Sequence, residues 1–367
     1  MTLPDVRGVG FGSRAPLSVA LDWIEAHVAV LPSEAVPVAD ALGRVLTSGP
    51  PGEPWPPADR AGTDGYAVRA AETLGASDYS PLPLPSAIPV ASGEAMPPGT
   101  DAVAAFVSVS RQGPAYQALA PVARGTGVER RGTEGDALLP GPLRPESLAL
   151  LALLDVPVIQ AVRCPRVAVV AAGPKSGPDV LTPMLRALVA RDGGVAVVQA
   201  GIEEASHAGA DLLLLAGRTG FGRDDDMAHR FTAAGGVLDL HGIAFRPGDT
   251  AGLGRLGGVP AVLLPGSLLA ALSVYEMLAG PAVRRLGGRT DAPAHLERQA
   301  VLEHKVTSAI GCTDMVRVRL RDGRATPLGA ADSGGLSRAV LADGWLIVPE
   351  GGEGYPAGAV ITVQCPA

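Results

Sequence analysis

The sequence predicts a multidomain α/β protein with additional β-rich parts, and three observations support this prediction. The chain has 367 residues, more than one hydrophobic core usually supports. Apolar runs alternate with helical patterns between residues 165 and 289, which is typical of a mainly parallel sheet covered by helices. The flanking stretches contain shorter β-like runs between proline-rich or glycine-rich turns. We therefore expect several domains of different architecture.

The first part of the chain predicts helices on either side of an inserted β-rich segment. Apolar residues recur at helical spacing over 17–30, and we expect a second, short helix over 38–46. Residues 50–141 are rich in proline and contain only short apolar runs. A helical pattern returns over 145–154, where Pro145 suits a first helical turn.

The middle of the chain predicts βαβ units. The predicted strands are 166–172, 195–200, 212–215, 237–245 and 260–264, and the predicted helices are 179–191, 203–208, 227–234 and 268–286. Ligands bind such sheets where strands end and loops lead into helices. Three stretches lie at such ends, namely 173–177, 215–226 and 265–267. We expect them to converge on one crevice. Beyond them, β-like runs at 315–320, 345–348 and 360–363 predict a small β domain.

The charge and hydropathy patterns argue against nucleic-acid and membrane partners. The formal net charge is −7, and the acidic residues are spread along the chain without a basic face. The longest apolar stretches, 147–160 and 259–274, are interrupted and too short to span a bilayer. The amino terminus lacks the pattern of a secretion signal. We therefore expect a cytoplasmic protein.

The cysteine and histidine patterns predict neither disulfides nor a zinc site. Three cysteines lie far apart, and an odd, widely spaced set fits a reducing compartment. Six histidines are scattered without paired ligand spacing. The sequence also lacks a Walker loop, a Rossmann fingerprint and a serine nucleophile elbow. The loops of the α/β segment therefore carry the functional prediction.

The stretch LAGRTGFGRDDD, residues 215–226, allows three interpretations. Its glycines would let backbone amides approach a phosphate closely, and its arginines could add bidentate contacts to the same anion. Its three aspartates could instead hold a cation. Alternatively they could stabilise the start of the following helix, where a carboxylate typically contributes about 0.3–1 kcal/mol. We expect at least one aspartate to cap that helix.

Five groups of motifs carry a family resemblance. In chain order they are VPVADALGRVLTS (36–48), PPADRAGTDGYAVR (56–69), SGEAMPPGTDAV (92–103), LHGIAFRPGD (240–249) with LGRLGGVPAVLLPG (253–266), and SGGLSRAVLADGWLIVPEG (333–351). In this order they resemble the MoeA/gephyrin E-domain family across nearly the whole chain. The resemblance implies an elongated homodimer of four-domain subunits. It also implies that molybdate is put into adenylylated molybdopterin, with Mg2+ assisting, in the crevice of the α/β domain.

The resemblance also divides the chain into domains. The predicted domains are a discontinuous helical linker domain (14–49 and 142–164), an inserted β-rich domain (50–141), a mainly parallel, MogA-like α/β molybdopterin-binding domain (165–289) and a C-terminal small β domain (290–367).

Candidate site residues follow from the loops and the resemblance together. Asp64 and Asp225 are the predicted catalytic residues, with Asp225 also the candidate Mg2+ ligand, and the resemblance implies that Asp64 reaches an active site across the dimer. The predicted substrate-binding residues are Ser92, Gly173, Lys175, Gly217, Arg218, Gly220, Gly222, Arg246, Pro265, Gly266, Ser267 and Ser333.

The sequence departs from the family pattern at several of these positions. Pro174 and Lys175 stand where the family has two carboxylates, which reverses the local charge. A lysine there would attract phosphate or molybdate directly. Asp249 replaces a lysine, Ser267 an asparagine and Cys312 an arginine. We expect Ser267 to cap the helix that follows it.

Two functions therefore remain open at the level of the sequence. The first is a transferase of molybdenum cofactor biosynthesis that binds molybdopterin and inserts molybdate. The second is a catalytically degenerate relative that carries molybdopterin or the finished cofactor to a client molybdoenzyme. The retained motifs fit both functions, and the altered charges at 174–175 and 249 favour the second.

Overall fold

A computed structural model describes residues 5–49, 53–134, 141–172, 178–289, 295–331 and 335–366. The chain divides into two compact units. The first comprises Met1–Glu34, Gly43–Val45 and Ala161–Ala367, and the second comprises Ala35–Leu42 and Leu46–Gln160.

The helices of the described residues are mostly short. They are α1 Leu17–His27, α2 Pro145–Leu153, α3 Leu181–Arg191, α4 Ile202–Ser206, α5 Met227–Ala233, α6 Leu268–Val274, α7 Gly280–Leu286 and α8 Leu336–Leu341. A π-helical segment, Tyr275–Ala279, joins α6 to α7, and three 3-10 turns lie at Val38–Asp40, Ala70–Thr73 and Phe106–Ser108.

The strands form several sheets. The first ten are β1 Ser33–Pro37, β2 Arg60–Ala61, β3 Gly65–Val68, β4 Leu82–Pro83, β5 Ile88–Val90, β6 Ala102–Ala104, β7 Val109–Gln112, β8 Ala115–Ala118, β9 Val128–Glu129 and β10 Val158–Val162. The next seven are β11 Arg166–Ala171, β12 Val195–Val198, β13 Leu212–Ala216, β14 Val237–His241, β15 Phe245–Arg246, β16 Gly252–Leu256 and β17 Val259–Leu264. The last seven are β18 His295–Leu302, β19 Val306–Thr307, β20 Thr313–Arg321, β21 Arg324–Pro327, β22 Gly344–Val348, β23 Gly354–Tyr355 and β24 Val360–Pro366.

The first unit contains a six-stranded sheet in the order β12-β11-β13-β17-β16-β14. The first four strands are parallel, and β16 and β14 are added antiparallel. Alternate residues of the strands bury their side chains on opposite faces, as the period of a strand requires. Helices α1, α3, α6 and α7 pack on one face, whereas α4 and α5 pack on the other. The carboxyl ends of the parallel strands therefore share one edge between two helical layers.

Helix α3 begins with help from a side chain outside it. The carboxylate of Asp179 accepts the N–H of Thr182 at 3.1 Å, and hydrogen bonding to the side chain and the backbone of Thr182 lowers the pKa of Asp179. The carboxylate thereby satisfies one of the N–H groups that the first turn leaves without a helical partner.

The same unit contains a closed β-barrel near the end of the chain. Strands β20, β21, β18, β24 and β22 pair in a ring, and β15 adds to the edge of β20. The barrel core is apolar and includes Val318, Leu346 and Val363. The α/β sheet and this barrel, with the β-rich second unit, confirm the predicted fold class.

The second unit is built from small antiparallel sheets. Strands β5, β3 and β6 form one three-stranded sheet, β4, β8 and β7 form another, and β2 pairs with β9. Small apolar side chains fill its two cores, including Ala67, Val68, Ala102 and Val103. Turns between short strands explain the high proline content of this stretch.

Several sequence predictions need correction. The predicted helix at 38–46 is wrong, because only the 3-10 turn Val38–Asp40 forms and Gly43 then adopts a φ of +73°, which ends helical geometry. The predicted strand at 237–245 is two strands, since β14 belongs to the α/β sheet and β15 to the barrel. Strands β16 and β18 were not predicted. Within the residues that the structure describes, no helix combines the length and hydropathy needed to cross a bilayer.

Candidate functional site

The loops that follow β13 and β17 begin side by side. Ala216 pairs with Ala171 on one side and with Leu264 on the other. The N–H of Gly217 donates to the carbonyl oxygen of Leu264 at 2.9 Å. A Cβ added to Gly266 would lie 3.5 Å from the Cα of Gly217. The described starts of the predicted crevice loops are therefore neighbours at one sheet edge.

Gly217 must be glycine for two separate reasons. Its φ is +92°, a conformation that side chains disfavour. A Cβ at this position would also lie only 2.5 Å from the carbonyl oxygen of Ala172. The close approach of these two strand ends requires the glycine whether or not a ligand binds.

Arg218 places a cation next to this close approach. Its φ is +56°, which is uncommon for a residue with a side chain, and its carbonyl oxygen accepts the N–H of Met227 at 3.0 Å. The guanidinium lies 3.7 Å from a carboxylate oxygen of Asp226, and about a third of each side chain is exposed. The loop therefore holds a partly exposed arginine beside the strand ends.

Asp225 folds back onto its own loop. Its Oδ2 accepts the N–H of Gly222 at 2.7 Å, and its N–H donates to the carbonyl oxygen of Gly222 at 3.1 Å. A Cβ on Gly220 would lie 2.6 Å from the same Oδ2. Two of the predicted phosphate-binding glycines therefore accommodate the Asp225 carboxylate.

Asp226, one of the three aspartates expected to cap α5, does not cap it through its side chain. Asp226 occupies the N-cap position, but its side chain makes no capping hydrogen bond. The carboxylate pairs instead with Arg218 of the same loop. An ion pair within the loop thus takes the place of the predicted cap.

The loop after β17 leads directly into α6. Pro265 is buried, whereas Gly266 and Ser267 are exposed. Ser267 is the N-cap residue of α6, yet its hydroxyl makes no capping hydrogen bond, and only its carbonyl oxygen accepts the N–H of Ala271, at 2.7 Å. The prediction that Ser267 caps this helix through its side chain is therefore wrong.

Arg246 lies where the α/β sheet meets the barrel. Its guanidinium donates two hydrogen bonds to the buried carboxylate of Asp314, at 2.8 and 2.7 Å. The hydroxyl of Ser308 donates to the same carboxylate at 2.8 Å. Burial raises the pKa of the nearby Cys312 thiol. Arg246 therefore has a structural partner, in contrast to its predicted role as a ligand-binding cation alone.

Two further predicted residues lie together in the second unit. The carboxylate of Asp64 accepts the N–H of Ser92 at 2.8 Å. The hydroxyl of Ser92 donates to the carbonyl oxygen of Gly62 at 3.2 Å. The acid and the hydroxyl thus lie side by side in two exposed turns, one before β3 and one after β5, an adjacency that the sequence did not indicate.

The remaining predicted residues cannot be assigned a position. Gly173, Lys175 and Ser333 lie outside the described residues. The charge reversal predicted at Pro174 and Lys175 lies outside them as well.

Sequence reasoning missed the segment that precedes α1. The N–H of Gly8 donates to the carbonyl oxygen of Phe221 at 2.7 Å, and the Phe11 ring packs edge-on against Phe221 and His241. Burial lowers the pKa of His241, whose Nε2 lies 2.9 Å from the carbonyl oxygen of Thr219. These contacts join residues far apart in the sequence, so local patterns carried no signal for them.

Two family models match the chain on either side of the α/β sheet. The MoeA N-terminal region (domain I and II) matches residues 15–154, and the MoeA C-terminal region (domain IV) matches residues 299–365.

Curated relatives match most of the chain. Molybdopterin molybdenumtransferase 2 of Mycobacterium tuberculosis (strain ATCC 25618 / H37Rv) is 28% identical over 89% of this chain and 94% of its own length. Molybdopterin molybdenumtransferase of Staphylococcus aureus (strain COL) is 23% identical over 83% of this chain and 84% of its own length.

Solved structures share the fold. A molybdopterin biosynthesis MoeA protein from Pyrococcus horikoshii superposes with a TM-score of 0.76 at 26% identity, covering 96% of this chain and 99% of that chain. A second structure of a MoeA protein, from Pyrococcus horikoshii OT3, gives a TM-score of 0.78 at 23% identity, covering 96% and 100%.

The parallel sheet, whose loops converge at its carboxyl edge, and the closed barrel define a multidomain α/β protein. With family models matched in the first and last parts of the chain, this protein belongs to the MoeA family.

Proposed function

We propose that this protein is a transferase of molybdenum cofactor biosynthesis, which binds molybdopterin and inserts molybdate. The observation that carries the proposal is the convergence of Gly217 and Gly266 at one strand edge, in a chain whose relatives are named molybdopterin molybdenumtransferases over most of their length. The substrate class comes from those relatives and the family resemblance. The loop geometry supports an anion site.

The crevice would act on its substrates mainly by positioning them. The N–H groups of Gly217 and Gly222 already donate to Leu264 and Asp225, so the other backbone N–H groups of the glycine-rich 217–226 loop would bind the phosphate end of the pterin. Arg218, held in place by its unusual φ and by Asp226, supplies a cation beside them. Helix α5 has only seven residues, so we assign the anion affinity to the loop and to Arg218. Fixing two reactants together lowers the entropic part of the barrier.

Mg2+ does not follow from the described residues. Among them, no group of three or more histidine, cysteine, aspartate or glutamate side chains could hold a metal ion. Asp225, the candidate ligand, uses one carboxylate oxygen for the loop. These residues therefore do not form a Mg2+ site by themselves, and no step of the proposed reaction depends on that ion.

Asp64 and Ser92 would contribute from the second unit. We propose that the protein is a homodimer in which Asp64 completes the site of the partner subunit, as the family resemblance implies. Both side chains are exposed. The hydrogen bond from the Ser92 N–H holds the Asp64 carboxylate in one orientation at the surface, which supports this role.

The carrier alternative is not favoured. It depended on the altered charges, whereas the relatives matched over 83% or more of this chain are named as transferases. The structure also gives one altered position, Asp249, a cationic partner in Arg14. We therefore do not pursue the carrier function.

The proposal is tested with the purified protein in two steps. Equilibrium titration with molybdopterin should saturate at one pterin per chain. Addition of molybdate to adenylylated molybdopterin and the protein should then yield a cofactor that activates a molybdoenzyme prepared without it. Pterin binding without transfer would contradict the transferase function, and absence of both would contradict the entire proposal.

A further inference from the structure

The segment before α1 makes a turn at residues 7–9 and contacts the 217–226 and 246–250 loops. We call residues 5–15 the amino-terminal arm. Its last residue, Ala15, is bonded through its backbone to the segment between β14 and β15. The N–H of Ala15 donates to the carbonyl oxygen of Gly242 at 3.0 Å, and its carbonyl oxygen accepts the N–H of Ala244 at 2.7 Å. These two bonds form a parallel bridge with Ile243. The arm is therefore attached to the α/β sheet at its end.

The centre of the arm is held by an aromatic contact. The Phe11 ring centroid lies 4.9 Å from that of His241 and 6.1 Å from that of Phe221, both edge-on. A Cβ on Gly242 would lie 2.6 Å from the Phe11 ring, so the absence of a side chain there lets the ring lie against the backbone. Together with the bond from Gly8 to Phe221, this contact ties the arm to the 217–226 loop.

Arg14 ties the same arm to the 246–250 loop. Its guanidinium lies 5.2 Å from the Phe11 ring centroid and donates to Asp249 at 2.7 Å. The side chains of Arg14 and Asp249 are 34% and 38% exposed, so their ion pair contributes little to folding stability. Its main consequence is therefore electrostatic.

The two charges face a cleft that the arm helps to build. The cleft has a volume of about 430 Å³ and is lined by Phe11, Arg14, Arg246, Asp249 and Cys312, among others. Asp314 neutralises Arg246, and Arg14 neutralises Asp249. Without Arg14, the carboxylate of Asp249 would face an entering anion without compensation and repel it.

We infer that the amino-terminal arm forms one wall of an oxyanion subsite beside the 217–226 loop and that Arg14 is a positioning residue, which neutralises Asp249 so that this cleft accepts a tetrahedral oxyanion. This inference rests on the proposed function, in which the oxyanion is molybdate or the phosphate of the pterin. If it is correct, the site includes a segment that precedes the first helix.

Substitutions that remove or retain the charge at position 14 test the role of Arg14. The full chain is titrated calorimetrically with tungstate and, separately, with inorganic phosphate. We expect Arg14→Gln to weaken tungstate binding by about threefold to tenfold. Arg14→Lys, which retains the charge, and the double variant Arg14→Gln/Asp249→Asn, which removes both charges, should bind within about twofold of the wild type.

The control is Arg324→Gln. Arg324 forms an exposed ion pair with Glu303 at 3.1 Å on the barrel, so its loss should leave tungstate binding unchanged. Tighter binding of tungstate than of phosphate would identify molybdate as the cleft ligand, and the reverse would identify the pterin phosphate. Either preference supports the inference.

Three results would overturn the inference: wild-type affinity in Arg14→Gln, a double variant as weak as Arg14→Gln, or a wild type that binds neither oxyanion. Parallel molybdopterin titrations separate these failures from failure of the proposed function, because pterin binding by the wild type would stand in each case.

A second variant tests the arm independently of charge. Phe11→Ala should speed hydrogen exchange at the Gly8 amide and also weaken tungstate binding, because Arg14 is then no longer held over the cleft. Faster exchange with unchanged tungstate affinity would contradict the arm as a wall of the site.

Discussion

At the scale of single residues, the Asp225 carboxylate has a structural task in the candidate site. The sequence pattern indicated Asp225 as a candidate residue of the loop but not the orientation of its side chain, which the hydrogen bond to Gly222 sets. The spacing of residue types is visible in a sequence, whereas the choice between a ligand and a loop amide depends on backbone conformation. The same limit applies to Ser267, a residue suited to capping that makes no cap.

Two substitutions separate the structural from the chemical role of Asp225. Asp225→Ala removes the acceptor of the Gly222 N–H, and we expect the free energy of unfolding to fall by about 1–2 kcal/mol. Asp225→Asn retains an acceptor oxygen and should recover most of that loss. Urea denaturation measures both variants. If Asp225→Asn is as unstable as Asp225→Ala, the hydrogen bond is not the source of the stability.

A substitution at Gly217 tests the close approach of the two strand ends. Gly217→Ala adds a Cβ at 2.5 Å from the Ala172 carbonyl oxygen, in a conformation with positive φ. The matched control is Gly235→Ala, where φ is +88° but no atom lies within 4 Å of the added Cβ. We expect about 1 kcal/mol of destabilisation for the control and about 1–3 kcal/mol more for Gly217→Ala. Equal losses in urea denaturation would argue against close packing at Gly217.

At the scale of elements, long periodic segments were predictable and short ones were not. The helical pattern over 268–286 was found as α6, the π-helical segment and α7. The short pattern over 38–46 lacks enough turns to override the positive φ of Gly43. The strands at 295–302 and 252–256 are defined by their partners in a barrel and at a sheet edge, information that no local window contains.

The π-helical segment connects the α/β layer to the barrel through one acid. Both carboxylate oxygens of Glu276 accept hydrogen bonds from Arg191 of α3, at 2.8 and 2.9 Å, and His295 of β18 lies 3.1 Å from one of them. Burial alone would raise the pKa of Glu276, but the His295 and Arg191 partners lower it to about 2. An unfolded chain would give this carboxyl its ordinary pKa of 4.5.

The depressed pKa of Glu276 predicts a pH-dependent stability. A carboxyl with a lower pKa in the folded state stabilises the fold above pH 4.5 and loses that contribution as the pH falls towards about 2. Glu276→Gln should therefore cost about 3 kcal/mol at pH 7, and the difference from the wild type should shrink between these two pH values. Urea denaturation across that range measures it. A difference independent of pH would contradict the ionised pair.

At the scale of the whole molecule, the sequence identified the family but not the arrangement of contacts around the site. The collinear motifs include turns, such as the turn at Asp64, and strand ends, such as Pro265 after β17. The amino-terminal arm lies outside the family motifs, and the structure was needed to find its ion pair between Arg14 and Asp249. The aspartate at position 249 therefore looked in the sequence like the loss of a cation, but in the structure Arg14 balances its negative charge.

A subunit-mixing experiment tests the proposed dimer. Asp64→Asn and Asp225→Asn should each lack transfer activity, if both residues serve one composite site. When the two variants are unfolded, mixed in equal amounts and refolded, half of the dimers should contain one intact site, which gives about a quarter of wild-type activity. Recovery of no activity, with dimers present by sedimentation, would contradict a site shared between subunits.

The most direct test of the proposed transferase function is complementation. A bacterium that lacks its own molybdenum-inserting enzyme is given the gene for this chain at ordinary expression. Nitrate reductase activity in cell extracts reports the finished cofactor. We expect activity close to that restored by the bacterium's own enzyme. Soluble, pterin-binding protein that restores no activity would contradict the proposed function.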